Sequence, residues 1–188
     1  MNIGLIMKSK LVVVSGPSGV GKSTIVKHIQ DIAPDIWISV SMTTRQQRQG
    51  EIDGREYFFV SRESFEVTIQ RGEMLEWAEF AGNLYGTPQQ PVLDRLEQGI
   101  PVLLEIELQG ARQVRDNYPE AQLAFIQPPT WDDLVRRLEG RGSEDEKSIQ
   151  ARLLVAQSEI LSANEFDIVL TNHSVERTAA ELVEFARS

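Results

Sequence analysis

The stretch Gly16-Pro17-Ser18-Gly19-Val20-Gly21-Lys22-Ser23 places glycine, glycine, lysine and a hydroxyl at the spacing of a phosphate-binding loop. Each residue type has a task in that chemistry. The glycines let the backbone turn tightly and aim its N–H groups inward. Lys22, expected to be exposed at the loop mouth, can reach the β- and γ-phosphates of a nucleoside triphosphate, and the Ser23 hydroxyl can ligate Mg²⁺. Thr24 continues the motif. Such a loop needs a strand before it and a helix after it. Leu11–Val14 is a short apolar run that reads as a buried strand. Ile25, Val26, Ile29 and Ile32 recur at helical spacing, and Pro34 closes that segment. The helix N-terminus adds unpaired donors and about half a positive charge.

Three further groups could do chemistry. Arg45 and Arg48 lie three apart in a polar run from Ser41 to Glu51. Arginine offers paired planar donors to phosphate, although the run also suits a solvated loop. Glu105 and Glu107 fall within Val102–Leu108, which reads as a strand, and a spacing of two puts both on one face. A strand acid near a phosphate loop commonly serves Mg²⁺ or its water shell. Arg136, Arg137 and Arg141 surround a glycine-flanked tip between two helical segments, with Arg152 on the second. Arginines on such a tip can close over a transferring phosphoryl group, and a plain helical hairpin is the alternative.

With 188 residues the chain fits one domain with a proper core, and 41% hydrophobic and 25% charged residues are ordinary for a globular protein. A net charge of −9 argues against a broad nucleic-acid surface. With no cysteine, disulfides, thiol catalysis and cysteine-held metals are excluded, which suits a reducing compartment. The apolar part of Met1–Met7 is too short for a signal-peptide core, and no run approaches a membrane span.

Past the first helix, Trp37–Ser41 reads as a strand, Tyr57–Val60 as another, and Ser61 as the cap of a helix that ends at Gly72. Met74–Phe80 alternates as a strand, with Glu76, Ala78 and Phe80 on one face. Gly82-Asn83 suggests a hairpin turn into Leu84–Thr87. Three strands and a helix within Thr43–Thr87 make a compact, partly antiparallel insertion into an alternating strand–helix chain. Pro88 begins a helix that ends at Gly99, and Gln109–Asn117 forms another. Leu123–Ile126 and Phe166–Thr171 are strands, and Thr130, Ser143 and Ser174 cap helices. Ile149, Leu153 and Leu154 are expected on the buried side of the second tip helix.

Together the stretches SGPSGVGKST, SMTTRQQRQGEIDGREYFF, EWAEFAGNLYGTP, EIELQGARQV, RLEGRG and LTNH resemble guanylate kinases, over about residues 10–187. The resemblance implies an α/β fold of the P-loop nucleoside-monophosphate-kinase type, with a parallel five-stranded core. The core comprises about 10–41, 89–136 and 157–188, a GMP-binding insertion about 42–88, and a helical lid about 137–156. It implies Mg²⁺-dependent phosphoryl transfer from ATP to GMP in a cytoplasmic monomer or weak homo-oligomer, with no nucleic-acid or membrane partner. By position, Arg45, Arg48, Tyr57 and Tyr85 match the grip on the GMP phosphate. Ser41, Glu76 and Thr87 match groups that read guanine. Arg137, Arg141 and Arg152, with Lys22 and Arg45, match the catalytic cations, and Asn172 matches the adenine end of the ATP site beside Gly16 to Thr24. Glu105 and Glu107 stand where the family usually has aspartates, so each carboxylate reaches one methylene further, toward the guanine amine or the Mg²⁺ water shell. Gln47 stands where a proline is frequent.

Other readings fit less well. A GTPase switch would need N-K-x-D and D-x-x-G motifs, which are absent. A non-catalytic phosphopeptide module would not require the intact Lys22 and Ser23. A kinase for a phosphorylated sugar would not require Glu76, Tyr85 and Thr87 together.

Overall fold

A computed structural model describes residues 10–140 and 146–188. The chain runs β1 (Leu11–Ser15), α1 (Lys22–Ile32), β2 (Trp37–Ile38), β3 (Met42–Thr43), β4 (Phe58–Phe59), α2 (Arg62–Gln70), β5 (Met74–Phe80) and β6 (Asn83–Pro88). It continues through α3 (Gln89–Glu97), β7 (Val102–Glu105), α4 (Leu108–Asn117), β8 (Gln122–Gln127), α5 (Trp131–Glu139), α6 (Glu146–Leu161), β9 (Ile168–Thr171) and α7 (Val175–Arg187).

Five parallel strands form the main sheet in the order β2-β7-β1-β8-β9. The first strand is central because it is apolar on both faces. Val12 and Val14 pack with α1 and α7 through Ile25, Ile29, Ala179 and Leu182, while Leu11 and Val13 pack with α3 and α4 through Val92, Ala111 and Val114. In open parallel sheets, ligands bind beyond the carboxyl ends of the strands where the order reverses. Here that crevice lies between the ends of β1, β7 and β8. Register puts Val14 beside Glu105, so the phosphate loop and the Glu105 carboxylate leave the sheet together.

A second sheet, β4-β3-β6-β5, forms the insertion, with only β3 and β4 parallel. It has its own small core of Phe65, Met74 and Leu84. It is tied to the main body by α4. The Gln113 side chain donates to the Trp77 carbonyl and accepts from the Trp77 N–H, at 2.9 and 3.1 Å, and Asn117 donates to the Leu75 carbonyl at 2.8 Å.

Several local expectations change. The strand at Trp37 ends at Ile38, so Ser41 lies in the link between the two sheets. The hairpin turns at Ala81-Gly82, where φ is 49° and 76°, with Phe80 opposite Asn83. Positive φ at both central residues matches the right-handed strand twist. Ile32 is half exposed, and Ile36 takes its place inside because the helix ends before it. On α6, Leu154 is exposed, while Leu153, Ala156 and Ile160 pack on Leu134 and Leu138 of α5. Ser61, Thr130 and Ser174 cap α2, α5 and α7 as expected. The cap at Ser143 lies outside the described residues.

Candidate active site

The phosphate loop is held from outside before anything binds in it. Gly16 (φ 147°) passes so close to β8 that a Cβ would sit 2.2 Å from the Ile126 carbonyl oxygen, and Gly21 (φ 101°) enters α1 in the left-handed region. A side chain is therefore excluded at both. The Val20 carbonyl accepts from Asn172 Nδ2 at 2.8 Å and from Arg137 Nη1 at 2.9 Å. Two donors on that oxygen hold this turn of the loop in place from the lid and β9 sides. Asn172 is buried and braces the loop from the end of β9. Arg152 Nη2 donates to Ser18 Oγ at 2.6 Å. Arg141 lies outside the described residues.

Lys22 does not stand free at the mouth. It is 8% exposed, with its Nζ donating to the Gly16 carbonyl and, at 3.3 Å, to the Pro17 carbonyl. An ammonium is a donor only, and these two loop carbonyl oxygens accept from it. Ser23 Oγ donates to Glu105 Oε1 at 2.7 Å. Burial raises the Glu105 pKa, opposed by the Ser23 hydrogen bond and the Lys22 charge and aided by Glu107. Glu107 is not on the strand. The strand ends at Glu105, and Glu107 is the N-cap residue of α4, so the two acids serve different neighbours.

The acceptor side is built on the second sheet. The Arg45 guanidinium makes a paired contact with Glu51, at 2.7 and 3.0 Å, and lies over the rings of Tyr57 and Phe59 at 5.4 and 5.6 Å. Tyr85 meets Tyr57 edge to face at 6.0 Å. Glu51 also accepts from the Arg48 N–H at 2.8 Å, which leaves the Arg48 side chain on the exposed rim. Hydrogen bonding to Arg45 lowers the Glu51 pKa and raises that of Arg45. Gln47 closes this loop through its side-chain amide, which donates to the Glu51 carbonyl. Thr43 and Thr44 pin the loop base to Leu84 on β6.

Glu76 sits at the floor, 6% exposed, accepting from the Thr87 hydroxyl at 2.6 Å. Burial raises its pKa to about 7, against the opposing hydrogen bonds from the Thr87 hydroxyl and N–H. Its proton is therefore linked to folding. The folded chain keeps it from about pH 4.5 up to about 7, so the stability it brings is present below that window and lost as pH rises through it. Relative to the wild type, Glu76→Gln should gain on the order of 2 kcal/mol between mildly acid and mildly alkaline solution, read from melting curves. A constant difference across that range would mean that Glu76 does not titrate there.

Two participants were invisible as sequence signals. Glu51 entered only as the end of a polar run, yet it aligns Arg45. Gly110 lies in the first turn of α4, where a Cβ would come within 2.7 Å of Glu76 Oε2 and 3.3 Å of Ile106 Cδ1. Helices disfavour glycine by about 1 kcal/mol against alanine, so its use there makes room for the carboxylate. Gly110→Ala should leave the melting temperature level or higher while displacing Glu76 and raising the KM for the acceptor roughly tenfold. A lowered melting temperature with an unchanged KM would assign Gly110 to packing alone.

One segment links the two halves. Glu105 bonds Ser23 of the phosphate loop, while Gly110 lies against Glu76 of the second sheet. A phosphate loop on one side of Glu105–Gly110 thus faces an arginine–tyrosine cluster and a buried carboxylate on the other. The Guanylate kinase family model matches residues 8–188. The chain belongs to the guanylate kinase family. It is 56% identical to the guanylate kinase of Streptomyces kasugaensis over 94% of this chain and 86% of that one. It is also 56% identical to that of Thermobifida fusca, over 93% and 89%. The crystal structure of guanylate kinase from Anaplasma phagocytophilum has a TM-score of 0.75 and 33% identity, covering 95% of this chain and 85% of that one. The fold is accordingly that of the guanylate kinases. Among the described residues, no helix is long and apolar enough to cross a membrane.

Proposed function

We infer that this guanylate kinase transfers the γ-phosphoryl group of ATP to GMP, giving ADP and GDP, with the donor at Gly16–Thr24 and the acceptor on the second sheet. The observation that carries this placement is the segment Glu105–Gly110, whose Glu105 bonds Ser23 of the phosphate loop and whose Gly110 lies against the Glu76 carboxylate. A phosphate loop and a buried carboxylate set against one short segment suit direct transfer between two bound nucleotides. The acceptor phosphate oxygen is itself the nucleophile, so catalysis is positioning and charge stabilisation.

The loop N–H groups and Lys22 hold the donor phosphates. Lys22 must leave the Gly16 and Pro17 carbonyls to do so. Arg45, Arg48, Tyr57 and Tyr85 take the acceptor phosphate, which competes with Glu51 for Arg45. Glu76, with Thr87 and Ser41, reads the guanine. Arg137 and Arg152 rest on Val20 and Ser18 of the phosphate loop, and Arg141 belongs with them by position in the sequence. Asn172 supports the adenine end of the donor site by holding Val20. The insertion at about 42–88 and the lid at about 137–156 carry these cations, so closure of both excludes water from the transfer.

The residues present fit Mg²⁺. Ser23 offers a hard hydroxyl oxygen beside the Glu105 carboxylate, and Mg²⁺ takes few protein ligands because phosphates and water complete its shell. When bound with ATP, the ion neutralises charge on the phosphates. Glu105 fixes the Ser23 hydroxyl, and Glu107 stands at the head of α4. The enzyme is expected to act as a monomer or weak homo-oligomer in the cytoplasm, without nucleic-acid or membrane partners.

The test is an Arg48→Ala enzyme assayed against both substrates with product identification. ADP and GDP should form in equal amounts, and the KM for GMP should rise by roughly thirtyfold, about 2 kcal/mol for a charge-assisted contact, with the KM for ATP nearly unchanged. A rise confined to the ATP KM would put this loop on the other nucleotide.

A further inference from the structure

Strand β5 carries Glu76, and its alternation breaks just there. Met74, Leu75 and Glu76 are all buried, where a regular strand would turn every second side chain to the other face. The cause is a bulge. Met74 lies opposite Pro88 and Glu76 opposite Thr87, so Leu75 is an extra residue on this side of the pair. The bulge lets neighbouring residues enter two cores. Met74 packs with Phe65 and Leu84 inside the insertion, while Leu75 packs with Val92, Ala111 and Val114 in the main body. A bulge re-aims a side chain and leaves its extra residue outside the ladder. Here the neighbouring Glu76 carboxylate accepts from the Thr87 hydroxyl at 2.6 Å. Because β5 is the edge of its sheet, only β6 braces this irregular stretch from within the sheet.

Helix α4 braces the outer side. Gly110, Gln113 and Asn117 are spaced three and four apart, which puts them on one face of that helix. Gly110 lies against the Glu76 carboxylate, and the two amides hold the backbone before and after Glu76. Asn117 Nδ2 donates to the carbonyl of Leu75, the bulged residue, at 2.8 Å. Gln113 Nε2 donates to the Trp77 carbonyl at 2.9 Å, and Gln113 Oε1 accepts from the Trp77 N–H at 3.1 Å. Such paired exchange with one residue is what a neighbouring antiparallel strand would offer. We propose that Gln113 and Asn117 are positioning residues for acceptor selection, which lock the bulge around Glu76 and so set its carboxylate against the guanine edge. A primary amide is the fitting group at Gln113, since its oxygen accepts while its nitrogen donates.

The proposal rests on the reading of Glu76 as the group that meets guanine, and Glu76→Gln alone tests that reading. The experiment measures steady-state kinetics and melting of Gln113→Leu, Asn117→Leu and the double variant, in the wild-type and Glu76→Gln backgrounds, with ATP, GMP and IMP varied in turn. Neutral hydrogen bonds to backbone are individually modest, so each single variant should raise the KM for GMP about fivefold and the double variant about twentyfold. The KM for ATP should stay within about twofold. The preference for GMP over IMP should narrow about fivefold in the double variant, because the displaced carboxylate is the group that reads the amine. In the Glu76→Gln background the same substitutions should change GMP kinetics by less than about twofold, since residues that act through one group are not additive. Should the leucine variants fail to fold, Gln113→Glu keeps the shape and the acceptor for the Trp77 N–H but sets a carboxylate oxygen against the Trp77 carbonyl. It should show the same GMP-selective loss. Unchanged GMP kinetics in the leucine or glutamate variants would overturn the proposal. So would equal losses with GMP and IMP, or a loss of the same size in the Glu76→Gln background. A Glu76→Gln enzyme with its guanine preference intact would overturn the underlying reading, and the proposal with it.

Discussion

Lys22→Ala is expected to lower kcat by roughly a hundred- to a thousandfold, the scale of losing one preorganised donor from a charged transition state. The ammonium is folded onto the Gly16 and Pro17 carbonyls. It is therefore stored inside the loop, ready to exchange two neutral acceptors for phosphate oxygens. Phosphates are the stronger partners because both sides are charged. The exchange costs little, and the gain is largest where charge builds during transfer. The substitution also strips those carbonyls of a donor. A stability loss of about 1 kcal/mol follows, larger than an exposed lysine would give. Kinetics and melting of the purified variant check both parts. An unchanged kcat would remove Lys22 from the transfer.

Glu76→Gln is expected to cut kcat/KM for GMP by roughly a hundredfold, about 3 kcal/mol for a charged hydrogen bond. Guanine offers two adjacent donors, N1–H and the exocyclic amine, and a carboxylate can accept both. The Glu76 carboxyl is almost wholly buried and titrates at about 7, because burial leaves its charge short of partners. Guanine supplies them, so binding should draw the pKa down and release about half a proton per GMP at neutral pH. Adenine presents a lone pair where guanine presents N1–H and leaves the carboxylate desolvated and unpaired. Rejection on the order of ten-thousandfold is within reach of such a site. The glutamine variant should bind GMP without proton release and discriminate less between GMP and AMP. Calorimetry in two buffers of different ionisation enthalpy measures the proton directly. Intact release and intact efficiency in the variant would pass the guanine-reading role to another acid.

The loop, its strand and its helix were legible in the sequence because each is local. Glycine spacing, an apolar run and helical periodicity need no distant partner to be recognised. Met74–Phe80 was legible as a strand for the same reason. What escaped depended on three-dimensional neighbours. Glu107 looked like a strand residue because the apolar run continues past Glu105, but the strand ends there and α4 begins. Lys22 looked exposed because the carbonyls that receive it are brought round by the loop itself. Leu154 looked buried because α6 could pack through either of two adjacent faces, and the one bearing Ala156 faces α5. Gly110 carries no local signal. Its meaning comes from Glu76 on the second sheet.

The most direct test of the account is ADP formation by the purified enzyme with Mg²⁺ and ATP, measured across GMP, IMP and AMP as acceptors. The account predicts efficient turnover with GMP, a markedly lower kcat/KM with IMP, which lacks the amine, and a kcat/KM with AMP lower by roughly ten-thousandfold. Equal efficiency with GMP and AMP, or no GMP-dependent ADP at all, would contradict it.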